Sequence, residues 1–223
     1  MREVFEEQLG GIFNDLAGIS RSVQVAVSKA TEALTTGDVT IAEEVISGDI
    51  EIDRARERVE DTAFELLSLQ APVAGDLRTV VAALRMVSEL ERMGDLSVHV
   101  AKIARLRVPD LAVPEQVRPT MSRMAQVAQD MVGRVTQIII ARDVEAAIAL
   151  GRDDEEMDRL RRASFTELLS PDWAHGVEAA VDIALLGRYY ERIADHAVSV
   201  ANRVVFVVTG QNPRDLETAR HQG

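Results

Sequence analysis

From Phe5 onward the apolar residues step by four and three without a miss: Phe5, Leu9, Ile12, Leu16, Ile19, Val23, Ala26, Ala30 and Ala33. That spacing returns a side chain to the same stripe at every turn, so the chain is committed to a long helix with one apolar seam. Gly37 breaks the run and Asp38 follows as an N-cap for the next helix. The second run carries Val45, Ile52, Val59 and Leu66 at steps of seven and stops before Pro72. A third extends from about Ala74 through Leu77, Leu84, Glu91 and Val98 to Arg107. Val108-Pro109-Asp110-Leu111-Ala112-Val113-Pro114 then changes the character of the sequence, and residues 108–114 read as a linker. Beyond it the pattern restarts with Val117, Met121, Met124, Ala128, Met131, Val135 and Ile138. A fifth helix opens at Asp143, and a sixth follows Ser170-Pro171-Asp172 and continues to about Thr209. Asn212-Pro213 ends the periodicity, so residues 211–223 are expected to form a polar, disordered tail.

The two halves superpose as sequences. At a shift of 105, Asp38, Val39, Ala42, Asp49, Asp53, Arg54 and Arg56 fall on Asp143, Val144, Ala147, Asp154, Asp158, Arg159 and Arg161. At a shift of 100, Glu91, Arg92, Asp95, Val98, Val100 and Ala101 fall on Glu191, Arg192, Asp195, Val198, Val200 and Ala201. Two ungapped shifts in order, separated by a loop shortened by five, indicate a duplicated three-helix unit. The expected fold is all-α: two tandem three-helix bundles, residues 1–107 and 115–210, joined by the linker.

Each half writes carboxylates where a core is expected. Leu84, Glu91 and Val98 lie on one heptad stripe, as do Ala184, Glu191 and Val198, and an unpaired buried carboxylate is costly. Glu91 with Asp95, and Glu191 with Asp195, stand four apart and share a helix face. Asp49 with Asp53, and Asp154 with Asp158, repeat that spacing at the edge of the preceding helix's seam. Four carboxylates converging from two antiparallel helices supply hard oxygen ligands for Mg²⁺, Mn²⁺, Ca²⁺ or iron. The competing reading is solvated acids, or salt bridges to Arg54, Arg85, Arg92 or Lys102. His99 and His196 occupy different places in the two halves and read as packing or surface residues. Met121, Met124 and Met131 read as core fillers.

Other classes fit poorly. No histidine has a glutamate three residues before it, as a di-iron carboxylate oxidase needs, and no phosphate loop or nucleophile triad is present, so no enzyme is expected. Without cysteine there is neither disulfide nor thiolate site, which suits a reducing cytosol. A net charge of -12 opposes nucleic-acid binding. The acidic N-terminus is unlike a signal peptide, and the longest pure apolar runs are too short to span a membrane, so no direct membrane insertion is expected.

The segments ERMGDLSVHVAKIAR and ERIADHAVSVANRV, with GDIEIDRARE, DEEMDRL and the Asp76-Leu77-Arg78 lead into the third helix, resemble the PhoU family of bacterial phosphate-homeostasis regulators. The resemblance covers about residues 1 to 210 and is closest to the actinobacterial branch from the opening MREVFEEQL. It implies E(D)xxxD motifs that bind multinuclear clusters of metal ions, divalent or trivalent: iron, zinc, manganese or magnesium. It also implies a cytoplasmic regulator, often a homodimer, recruited to the membrane by protein partners. Those partners are the cytoplasmic ATPase subunit of a phosphate ABC transporter and a phosphate-sensing histidine kinase, whose starvation response it restrains. The motif falls on Glu91, Asp95, Glu191 and Asp195, with Asp49, Asp53, Asp154 and Asp158 as the partner-helix acids. Gly94 becomes Ala194 in the second motif and the Asp-Leu-Arg lead has no counterpart, so the two sites are expected to differ in access or occupancy. The alternative from another class is a structural helical scaffold without metal.

Overall fold

The structure, a computed structural model, describes residues 2–211; the polar tail beyond Gln211 and the side chains of residues 2–5, Phe5 among them, and of Arg152 and Asp153 lie outside the described residues. Among the described residues there are six α-helices and no strand: α1 (Arg2–Thr36), α2 (Val39–Gln70), α3 (Ala74–Arg107), α4 (Arg118–Ala141), α5 (Val144–Leu168) and α6 (Gly176–Thr209). A single 3-10 turn at Glu115–Val117 leads into α4. The all-α expectation holds.

Local chemistry sets the helix ends. Gly37 takes φ 71°, a left-handed value that glycine reaches without strain, and its amide donates to the Ala33 carbonyl at 2.9 Å. Asp38 then accepts from the Thr40 and Ile41 amides at 2.8 and 3.1 Å. The same joint recurs 105 residues on, where Asp143 accepts from the Ala146 amide at 3.0 Å. There Arg142 holds φ 50° in place of the glycine, with its guanidinium 4.5 Å from the Phe13 ring centre.

The seams read for α2 and α4 are buried, whereas the one read for α3 is buried only at its far end: Val98 is inside, Leu84 and Glu91 are half-buried and Leu77 is exposed. Val45, Ile52, Val59 and Leu66 line the inner face of α2, and Met121, Met124 and Met131 that of α4. Helices α2, α3, α6 and α5 lie side by side in that order as one layer, and α1 and α4 form a second, with α1 on α2 and α3 and α4 on α5 and α6. The two three-helix units therefore share one continuous core through the α3–α6 and α1–α4 pairs. Full burial of side chains such as Leu90, Met93, Leu186 and Ile193 stabilises the fold by about 1.5–3 kcal/mol apiece.

The α3–α6 pairing is antiparallel. The Arg78 guanidinium donates to the Val207 carbonyl at 3.3 Å, and Arg107 pairs with Glu178. With the repeat shift of 100, Val207 is the counterpart of Arg107 and Glu178 that of Arg78, so the same pair of positions meets twice about a pseudo-two-fold axis, once through a backbone carbonyl and once through a carboxylate. Residues 108–114 are packed as well: Ala112 and Val113 are buried, and Leu111 Cδ2 stands 3.2 Å from where a Cβ on Gly37 would be.

Candidate metal centre

In the first repeat the acids come from facing stretches of α2 and α3. Asp49 and Asp53 are half-buried on α2, Glu91 is half-buried on α3, and Asp95 is exposed one turn further on. A step of four residues turns about 40° past a full helical turn, which carries Asp95 off the core stripe on which Glu91 sits. Gly94, between them, lets α2 come close: a Cβ there would meet Ile52 Cδ1 at 3.1 Å and Asp49 Oδ1 at 3.4 Å.

The four carboxylates feel one another. Burial pushes the Asp49 carboxyl above its ordinary range, and the charges of Asp95 and Asp53 add to it against the opposing Lys102. Burial likewise raises Glu91, helped by Asp95 and Asp53 and opposed by Arg56 and Arg92. No ion pair among the described residues engages Asp49, Asp53, Glu91 or Asp95; Arg54 pairs with Glu51 and Arg56 with Glu60.

The second repeat holds the same four acids differently. Asp154 is half-buried, and its carboxyl is pushed up to about 6 by burial and then by Asp195, Asp158 and Glu191. Burial and then Glu191 raise Asp195, with Arg188 and His196 opposing. Glu191 is 7% exposed and both its oxygens are engaged: Arg161 Nη1 donates to Oε1 at 2.7 Å and Arg188 Nη1 to Oε2 at 2.5 Å. The stripe reading thus places Glu191 inside, and guanidinium groups supply its counter-charge.

The salt bridges foreseen for Arg54, Arg85, Arg92 or Lys102 are instead made by Arg161 and Arg188, and only to Glu191. Comparing unlike positions of the repeats is the signal that finds them: Arg188 stands where the first repeat has Ser88. His196 donates or accepts at Glu89 Oε2, 2.6 Å away across the α3–α6 seam, and His99 stacks on Tyr189. The packing and surface roles expected of these histidines fit that placement.

As donors, four carboxylates per repeat suit hard cations. Among the described residues, however, no three Asp, Glu or His side chains stand within reach of a single ion. The sets are electrostatically joined but not closed into a coordination shell, and a cation would be held by Asp49, Asp53, Glu91 and Asp95 only after side-chain rotation, for which the exposed Asp95 has room.

The family model for the PhoU domain matches residues 16–104 and again 121–204. The chain is 45% identical over 213 residues to the phosphate-specific transport system accessory protein PhoU homolog 2 of Mycobacterium tuberculosis, covering 96% of this chain and 100% of that protein. It is 44% identical to PhoU homolog 1 of Mycobacterium leprae, covering 96% and 97%. The crystal structure of the phosphate transport system regulatory protein PhoU from Streptococcus pneumoniae superposes with a TM-score of 0.84 at 25% identity, covering 93% of this chain and 98% of that one. PhoU from Pseudomonas aeruginosa shares the fold with a TM-score of 0.87 at 24% identity, covering 93% and 100%. Matched twice along its length and nearly end to end by these relatives, the chain belongs to the PhoU family.

Proposed function

We propose that this protein is a metal-binding regulatory adaptor of a phosphate-specific transport system. The observation that carries the metal part is the first repeat's acid set: burial and the charges of Asp95 and Asp53 raise the carboxyls of Asp49 and Glu91, no ion pair among the described residues engages any of the four, and a divalent cation relieves that repulsion. Its relatives' names, accessory proteins of phosphate-specific transport, support the transport part. In this reading the protein works as a homodimer on the cytoplasmic face, where it restrains high-affinity phosphate uptake and the phosphate-starvation response. It engages the transporter's ATPase subunit and the phosphate-sensing histidine kinase. Among the described residues no helix is long and apolar enough to cross a membrane, so recruitment there rests on protein contacts.

Two measurements test this. Protein purified without chelator is expected to carry iron, zinc, manganese or magnesium, and Glu91→Gln with Asp95→Asn is expected to remove the first repeat's share while circular dichroism stays helical. Membrane fractionation is expected to find the protein with membranes only when the transporter's ATPase subunit or the kinase is present. Metal-free protein whose melting temperature no ion raises sinks the metal part. Membrane association that persists without either partner sinks the adaptor part.

A further inference from the structure

Helices α1 and α4 cover the four-helix layer on one face only. On the other, the stripe of α3 that runs by fours and threes from Leu77 to Leu106 is exposed or half-buried throughout, and so is the stripe 100 positions on in α6, from Val177 to Phe206. The ends of this face are apolar: Leu77 and Val81 lie exposed at one, Leu106, Val181 and Leu185 at the other, with Leu106 67% exposed. Its middle is charged. Arg92 and Asp95 on α3, and Arg192 and Asp195 on α6, enter no ion pair among the described residues. The contacts of Arg78 with Val207, Glu89 with His196, His99 with Tyr189 and Arg107 with Glu178 fix the register of the two helices. In that register Arg92 lies level with Asp195, Asp95 with Arg192, Val81 with Phe206 and Leu106 with Val181.

We infer that this face is where a second copy of the chain docks, turned over by a two-fold axis lying in the face. This rests on the homodimer of the reading above and adds which surface forms it. The pseudo-two-fold axis through the α3–α6 seam makes the pattern match itself whichever way the second copy lies. With α3 over α6 of the second copy, Arg92 meets Asp195 of that copy and Val81 meets its Phe206. With α3 over α3, Arg92 meets Asp95 of the second copy and Val81 meets its Leu106. In both arrangements every one of these arginines and aspartates faces an opposite charge, and the apolar ends close on each other. The area agrees. Helices α3 and α6 are each 34 residues long, so a face about 50 Å by 20 Å offers about 1,000 Å² per copy, where a stable dimer buries about 800 Å² on each partner. An anionic lipid surface is the poorer occupant, because it repels a chain of net charge -12. Asp95 and Asp195 also belong to the acid sets, so the interface is measured without metal.

The test is sedimentation equilibrium of the chelator-treated full chain, which is expected to dimerise. Arg92→Glu with Arg192→Glu sets acid against acid across the interface, and Asp95→Arg with Asp195→Arg sets base against base. Each double variant is expected to raise the Kd of the dimer at least tenfold. Mixing the two is expected to restore association as a 1:1 pair, which misfolding of either could not produce. Val81→Lys with Leu106→Lys, at the apolar ends and clear of the acid sets, is expected to weaken the dimer by a similar factor and gives an independent answer where a charge exchange folds poorly. A native chain that dimerises with a Kd indifferent to all these substitutions overturns the inference and leaves the homodimer reading standing. Weakened charge variants that do not rescue each other overturn it as well. A native chain that stays monomeric overturns both.

Discussion

Asp154 illustrates how one carboxylate ties stability to pH. Burial and three like charges push it up to about 6, against about 3.9 in an unfolded chain, so the folded state holds the proton more tightly. The stabilisation that follows is fully present below about pH 4 and is lost as pH rises through about 6. Asp49, Glu91 and Asp195 are raised in the same sense. Glu89, held down mainly by its hydrogen bond to His196, acts in the opposite sense, but its stabilisation is lost only below the ordinary carboxylate range. Chelator-treated protein is therefore expected to have a higher urea midpoint at pH 5 than at pH 7.5. The difference from Asp154 is on the order of 1 kcal/mol once screening at this half-exposed site is allowed for. Asp154→Asn should flatten that pH dependence, and a slope unchanged by it would mean that other groups dominate. The acids themselves were legible from their spacing on an apolar stripe. The partners of Glu191 were not, because a search for duplication rewards the positions that agree, whereas Arg188 and Phe165 are positions where the repeats disagree.

Single residues also fix where whole elements begin. Asp38 and Asp143 each cap a helix of 25 or more residues, α2 and α5, and each offers one side-chain oxygen to amides that the helix cannot satisfy itself. Asp38→Ala and Asp143→Ala are each expected to cost about 1 kcal/mol in urea denaturation, while Asp38→Asn and Asp143→Asn should cost much less. Loss beyond about 2 kcal/mol would point to a further role for these exposed side chains. Their positions, with Gly37 and Pro72, made the helix boundaries readable within a residue or two. The packing partner of each helix was less readable, since a seam says how an element is sided and not which element it faces. Hence α3 meeting α6, and Ala112 and Val113 being buried in the connection, emerge only from the structure. A short proline-bounded stretch looks the same in sequence whether it swings free or lies against a glycine.

At the scale of the molecule, the α3–α6 and α1–α4 pairings mean that neither repeat buries its own apolar faces alone. Residues 1–107 and 108–211 produced as separate chains should accordingly associate. Because Arg107 meets Glu178 and Asp182, and Glu89 meets His196, unlike halves fit across the axis. Two first halves would set Arg78 against Arg107, and two second halves would lack both cross-pairs. Mixed halves are expected to sediment as a 1:1 pair in preference to either half with itself, and a homodimer that outcompetes the pair would contradict this. The same axis carries a historical consequence. Equivalent positions that meet twice about a two-fold axis are what remains when two copies of a symmetric dimer become one gene. Before the joining, any change at one end of the axis was copied at the other. Afterwards each end could change alone, and Ser88 with Arg188, or Glu60 with Phe165, are the divergences that a pair of identical short chains could not have held.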